Sequence, residues 1–213
     1  MVKGGIVIYN NHVQNMITKI PDGTLVRDSG SAVFLIEHGQ KRPIMDIDSF
    51  YFYKLMARKI IPLEDMLLNL YPLGEGVTVT GQWAKCAPAT LFVKGGGSGI
   101  FLWMDNCLFP IQSGEVFQRL RCQMDEIVHV PDSLVQSLQI GHTIDASFFL
   151  QYPVLNGRLY SSPSGHIYYG ERRTLRKVEG PSVFSFFQWS VHQLIYLTQN
   201  EFIKSPIGKP VLS

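Results

Sequence analysis

The chain has 213 residues, 46% of them hydrophobic and 17% charged, so it carries ample material for a core and is not disordered by composition. Nineteen Lys and Arg against 17 Asp and Glu leave a net charge of +2, which gives no general attraction to nucleic acid or an anionic membrane. No run of 18 apolar residues is present, so no membrane-spanning helix is expected.

The N-terminal residues 1–10 lack the apolar stretch and small-residue cleavage site of a signal peptide. The chain therefore reads as cytoplasmic by default, or as extracytoplasmic if it is a mature form whose leader has been removed. Cys86, Cys107 and Cys122 are an odd number without a Cys-x-x-Cys pair. They support neither a disulfide framework nor a zinc ribbon, and they read as buried thiols.

Internal periodicity decides the rest. Gly74, Gly141 and Gly208 lie 67 residues apart, and Val77, Ile144 and Val211 follow each of them by three. The same spacing relates Phe50, Phe117 and Phe184, and likewise Ile44, Ile111 and Val178. The pairs Val33-Phe34, Ile100-Phe101 and Ile167-Tyr168 match too. One spacing fits every anchor without a gap. The chain is thus expected to be one domain over 1–213, with repeats at about 9–75, 76–142 and 143–209 and short end segments 1–8 and 210–213.

Each repeat predicts the same elements in the same order. A short strand (16–20, 150–155) enters a tight turn at Asp22-Gly23 or Asn156-Gly157, where a positive φ is needed. Unit two has Ala89-Thr90 there and must turn differently. A second strand leaves the turn (24–28, 90–94, 158–162), and a third carries the apolar run (32–37, 99–104, 166–170). A fourth ends at Ile44, Ile111 or Val178. Asp46, Ser113 and Gly180 are residue types that cap a helix N-terminus, so helices are predicted from about 47, 114 and 181. Pro181 suits the first helical position. A second helical stretch follows, with Leu134 and Leu138 as its apolar marks.

The fold class is α+β, three small antiparallel sheets each with one or two helices. The last residues, 210–213, share the phase of 76–79, and residues 6–12 lie in roughly that phase ahead of unit one. Joined ends would close a pseudo-threefold, three-bladed propeller-like ring; an open three-unit array is the alternative.

The stretch Gly23-Thr24-Leu25-Val26-Arg27 and then Val33-Phe34-Leu35-Ile36-Glu37-His38-Gly39-Gln40-Lys41-Arg42-Pro43-Ile44 resembles a repeat of bacterial, often extracytoplasmic proteins. Unit two supplies the later part of that pattern as Val128-His129-Val130-Pro131-Asp132, Leu134, Leu138 and Gly141. The resemblance implies an accessory or binding module appended to other domains. It transfers no catalytic residues.

Motifs for chemistry are scarce. Lys94-Gly95-Gly96-Gly97-Ser98-Gly99 fails the spacing of both common phosphate loops and joins two strands, so it reads as a flexible connection. Nucleophile-elbow, zinc-protease and calcium-loop motifs are missing. Asp46-Ile47-Asp48 reads as a cap rather than a metal site. Histidines 12, 38, 129, 142, 166 and 192 neither cluster nor recur between units. No cofactor, metal site or catalytic residue is therefore expected.

The most informative polar pattern is one the repeat exposes. Glu37 and Arg42 correspond to Glu171 and Arg176 in unit three, but to Met104 and Phe109 in unit two. They read either as cross-strand charge pairing at a hairpin or as a carboxylate–guanidinium site that unit two has turned apolar to meet a partner. Candidate binding residues are therefore Trp103, Met104, Asn106, Leu108, Phe109, Glu37, Arg42, Glu171 and Arg176. Tyr168 and Tyr169 join them because unit three holds more aromatics than one helix face can bury.

The expected function is a non-catalytic binding module that engages a protein or glycan through inter-repeat surfaces. The alternatives are an assembly subunit that forms a homo-oligomer and, third, an enzyme with an inter-repeat site. Nucleic acid is not an expected partner.

Overall fold

The computed structural model describes residues 20–79, 82–151 and 154–211. These residues build a mixed α+β fold with three separate sheets, one for each repeat. In unit one the strands Thr24–Arg27, Val33–Glu37 and Gln40–Pro43 form an antiparallel meander, and Ile60–Pro62 lies parallel to the first of them on its other side. Unit three repeats this order with Leu159–Ser161, Ile167–Glu171, Thr174–Lys177 and Leu194–Tyr196. Unit two uses Thr90–Lys94, Phe101–Met104, Cys107–Pro110 and Ile127–His129 in the same way, and Gln139–Ile140 adds a fifth strand. That fifth strand has one-residue counterparts elsewhere: Lys41 bridges Leu73, and Leu175 bridges Ile207.

The parallel strand was not expected from the sequence. It arises because the helix Ile47–Phe52 and the 3-10 turn Leu55–Ala57 carry the chain from one edge of the sheet to the other, the kind of crossover a parallel neighbour requires. Of the expected strand 150–155, residues 152–153 lie outside the described residues, and the described ones form no strand. The structure instead puts a helix at Phe148–Gln151 and a second one, Trp83–Cys86, at the matching point of unit two. Phe148 and Phe149 are buried against unit two, which gives the segment a reason to turn helical. The expected strand 16–20 falls outside the described residues except for Ile20.

The capped helices stand where the sequence puts them. Asp46 accepts a hydrogen bond from the Ser49 amide at 2.6 Å and Ser113 from that of Val116 at 3.3 Å, opening Ile47–Phe52 and Gly114–Arg119. Gly180, at φ 95, precedes Pro181–Phe186. The tight turns between the third and fourth predicted strands are His38-Gly39, Asp105-Asn106 and Arg172-Arg173, all with positive φ at both residues. This is the mirror-image turn whose twist suits a hairpin. The recurrent glycines answer to close approach: a Cβ at Gly74, Gly141 or Gly208 would stand 2.7, 2.7 or 2.6 Å from the side chains of Gln40, Phe109 or Thr174.

Three of the buried apolar clusters straddle two units apiece. Leu25, Leu35 and Tyr53 pack with Leu91, Val93 and Trp103; Val26, Ile36 and Ile61 pack with Leu159, Tyr169 and Val183; Phe92, Val116 and Phe117 pack with Phe148, Phe149 and Leu155. Unit one thus packs on unit two, unit two on unit three, and unit three on unit one. The sheets stay separate, and among the described residues no closed propeller is found. Val211 of the end segment bridges Val178 of unit three, as Val77 of unit two bridges Ile44 of unit one and Ile144 of unit three bridges Ile111 of unit two. The expected meeting of the chain ends involves 6–12, outside the described residues.

Candidate functional site

The expected cross-strand Glu/Arg pairs form, but they are not exposed. Glu37, Arg42, Glu171 and Arg176 are all buried, because each pair faces the neighbouring unit instead of solvent. Arg42 Nη1 reaches Glu37 Oε2 at 2.6 Å. Its remaining donors go to the carbonyls of Glu75, Lys85 and Ala87, each at 2.9 Å. The other carboxylate oxygen of Glu37 accepts from the Ala89 amide at 2.9 Å. One ion pair therefore holds the incoming backbone of unit two. Burial pushes the Glu37 carboxyl above its ordinary range, with Arg42 and the Ala89 amide pulling against it.

Unit three repeats the device. Arg176 meets Glu171 at 2.5 Å and donates to the carbonyls of Lys209 and Pro210, while Glu171 accepts from the amide of Asp22 in unit one at 2.5 Å. Ala89 and Asp22 are equivalent positions, so the clamp of unit one grips unit two as that of unit three grips unit one.

The apolar turn of unit two is likewise not an exposed patch. Trp103, Met104 and Leu108 are buried and Phe109 is half-buried; only Asn106 of the group is exposed. Trp103 and Leu108 belong to the cluster shared with unit one, and Met104 to the cluster shared with unit three. Tyr168 and Tyr169 are buried too. Tyr168 packs against Phe202, whereas the Tyr169 hydroxyl donates to the Asp22 carbonyl of unit one at 2.6 Å.

Where the three units converge lies a cleft of about 310 Å³, at the small end of the usual range for ligand sites. The equivalent turns Asp22-Gly23, Ala89-Thr90 and Asn156-Gly157 line it, together with Ala57, Glu126 and Gln193 from the three equivalent 3-10 helices. Just ahead of those helices Lys54, Arg121 and Gln188 share a left-handed backbone, with φ of 57, 54 and 52. Three non-glycine residues held at positive φ at one repeated position mark a bend that the surrounding packing enforces.

No family model and no curated protein matches this chain. Among solved structures, it is similar at 11% identity and a TM-score of 0.25 to a chain of the periplasmic assembly from the ESX-5 inner membrane complex, covering 89% of this chain and 60% of that one. A chain of an intact ESX-5 inner membrane complex aligns at 12% identity and 0.24, over 98% and 56%. A chain of the EccB3 dimer from the ESX-3 core complex aligns at 13% identity and 0.23, over 87% and 63%. The chain thus spans less than two thirds of the length of each.

The charges of the cleft are unevenly matched. Arg158 of unit three pairs with Glu126 of unit two at 2.9 Å, its guanidinium 4.7 Å from the centre of the Phe92 ring. Arg58 donates to the Gly23 carbonyl at 3.3 Å and makes no ion pair among the described residues. Its burial lowers its pKa, the fields of Glu37 and Tyr169 raise it, and an arginine so placed still keeps its charge. Both oxygens of Glu37 are already committed to Arg42 and Ala89. An incoming carboxylate or carbonyl would find in Arg58 a donor that the protein's own acids leave open. Trp189 stacks nearly parallel on Tyr169 and on Phe187, at 5.1 and 4.7 Å between ring centres. The aromatic face that a sugar would stack on is therefore engaged within the protein.

Sequence reasoning did not single out Arg58, Glu126 or Arg158, whereas Trp189 belongs to the aromatic run 184–189 that it offered as lining an inter-repeat groove. Position 58 holds Asp125 and His192 in the other units, so the repeat gave no signal there. Among the described residues no group of three or more His, Cys, Asp or Glu could hold a metal ion, and no helix is long and apolar enough to cross a membrane.

The seam between units two and three also carries an ion pair, Arg119 with Glu201. Glu201 closes a capping box by accepting from the Thr198 amide at 2.8 Å. Burial raises its pKa, but the Thr198 amide and Arg119 outweigh that and hold it below the ordinary value. A depressed carboxylate contributes stability above its unfolded pKa and loses it as the pH falls through the folded one. Glu201→Gln is accordingly expected to cost about 1–3 kcal/mol at pH 6. The gap to wild type should narrow below pH 4.5, as read from urea midpoints at pH 6 and pH 3; an unchanged gap would count against the assignment.

Proposed function

We propose that the chain is a non-catalytic binding module that takes hold of a protein partner at its central cleft, with the three units arranged as a closed pseudo-threefold ring around it. The observation that carries this reading is the composition of the cleft: all three units supply it, and the same three 3-10 helices present large apolar side chains to solvent. Met56 and Met124, on the first two helices, and Val191, on the third, are 60, 70 and 57% exposed. Exposed apolar groups beside a charged, preformed cleft suit a protein surface, whose anchors are apolar or aromatic and whose polar contacts fix register. The engaged face of Trp189 weighs against the glycan alternative.

The test is site-specific photo-crosslinking. A crosslinker at Met124 is expected to capture a discrete partner, one at the equally exposed Ile203 outside the cleft is not, and Arg58→Gln should weaken the interaction about tenfold or more. Equal capture from both positions, or a glycan array that lights up while crosslinking stays blank, would overturn the reading.

A further inference from the structure

The seam between units two and three holds a cavity at the point where unit two lacks the Glu/Arg pair of the other units. At the first seam the Arg42 side chain runs across to the carbonyls of Lys85 and Ala87. The residues equivalent to Glu37 and Arg42 in unit two are Met104 and Phe109, and they cannot reach out in this way. A cavity of about 330 Å³ opens beside them. Buried Met104, Phe148, Val154 and Leu155 form its apolar wall, with half-buried Phe109 beside them. Its mouth is of the opposite character: Arg173 and Lys204 are exposed there, with His142. Asp105 lies 3.4 Å from Arg173, and Lys204 makes no ion pair among the described residues.

We propose that this cavity binds an amphipathic carboxylate, its aliphatic chain among Met104, Phe148, Val154 and Leu155 and its head group at Lys204 and Arg173. An apolar interior favours a chain by the free energy of removing methylenes from water. A positively charged rim selects an anionic head over a neutral or cationic one. The site is distinct from the central cleft, since the two share no lining residue, and it stands whether or not the cleft has a protein partner. Unit two's departure from the Glu/Arg pair then has a purpose: it trades a clamp for a chamber.

Decanoate is the probe. In protein carrying methionine labelled with 13C at the methyl group, decanoate should shift the Met104 resonance saturably, the signal being assigned by its loss in Met104→Leu. The exposed Met56 and Met124 should stay in place. Lys204→Glu, a surface change that leaves the fold alone, should weaken decanoate at least tenfold, and 1-decanol should bind at least tenfold more weakly than decanoate. An unmoved Met104 signal, or equal shifts at all methionines, would overturn the site. Equal binding of decanoate and 1-decanol, or an unaffected Lys204→Glu, would overturn the carboxylate assignment.

Discussion

Glu37→Ala is expected to destabilise the folded chain by about 3–5 kcal/mol, because it leaves the buried Arg42 guanidinium without its counter-charge. Arg42 is closed in by the carbonyls of Glu75, Lys85 and Ala87, so water cannot readily replace the lost carboxylate. The Ala89 amide loses its acceptor as well. Urea denaturation measures the effect directly. The double change Glu37→Ala with Arg42→Ala should cost less than the two single changes added together, since it removes the orphaned charge along with its cause. A single-variant cost below about 1 kcal/mol is what an exposed hairpin pair would give, and it would sink the clamp. Copying unit two by Glu37→Met with Arg42→Phe should not be neutral either, because the carbonyls and the amide that the pair serves stay in place with nothing to meet them.

The repeat was legible because the features that define it act locally. Asp46 and Ser113 cap helices through side chains a few residues from the backbone they serve, and the recurrent glycines clear neighbouring side chains at the sheet edge. Such requirements leave a residue type at a fixed spacing. The parallel strands left no such mark: Ile60, Ile127 and Leu194 align, yet three apolar residues after a helix do not state which strand they will pair with.

The clamps were visible as a pattern and misread in place. A Glu and an Arg five residues apart across a turn look like a surface pair, and only the packing of the next unit makes them buried. Gly170 was invisible for a related reason. It aligns with Ile36 and Trp103, and the structure shows why unit three holds a glycine: a Cβ would stand 2.2 Å from the Leu155 carbonyl and 2.9 Å from the Tyr160 ring. Tyr160, where the other units have Val26 and Val93, fills the space instead, with its hydroxyl accepting from the Leu155 amide at 2.7 Å. Volume exchanged between two positions in different strands has no signature in one sequence.

The seam between units two and three should fail differently from the clamped seams. Phe149→Ala is expected to cost about 3–5 kcal/mol, the usual range for truncating a fully buried aromatic side chain. Phe149 is wholly enclosed, set edge-on to Phe148, and lies in one cluster with Val116, Phe117 and Leu120 of unit two. The Arg119 guanidinium sits 4.1 Å from its ring centre. Units one and two have Asn15 and Gln82 at the matching positions, so this anchor belongs to unit three alone. Because the loss is of packing, the penalty should hardly change between pH 5 and pH 8 or with added salt. Tyr160, Leu175 and Ile195 form a cluster of their own within unit three, and that cluster should survive. Hydrogen exchange is then expected to accelerate most in Gly114–Arg119 and Phe148–Gln151 and least in Ile167–Glu171. Uniform acceleration across all three segments would mean that the seam is not a separable joint, and the apolar anchor would then be part of one undivided core.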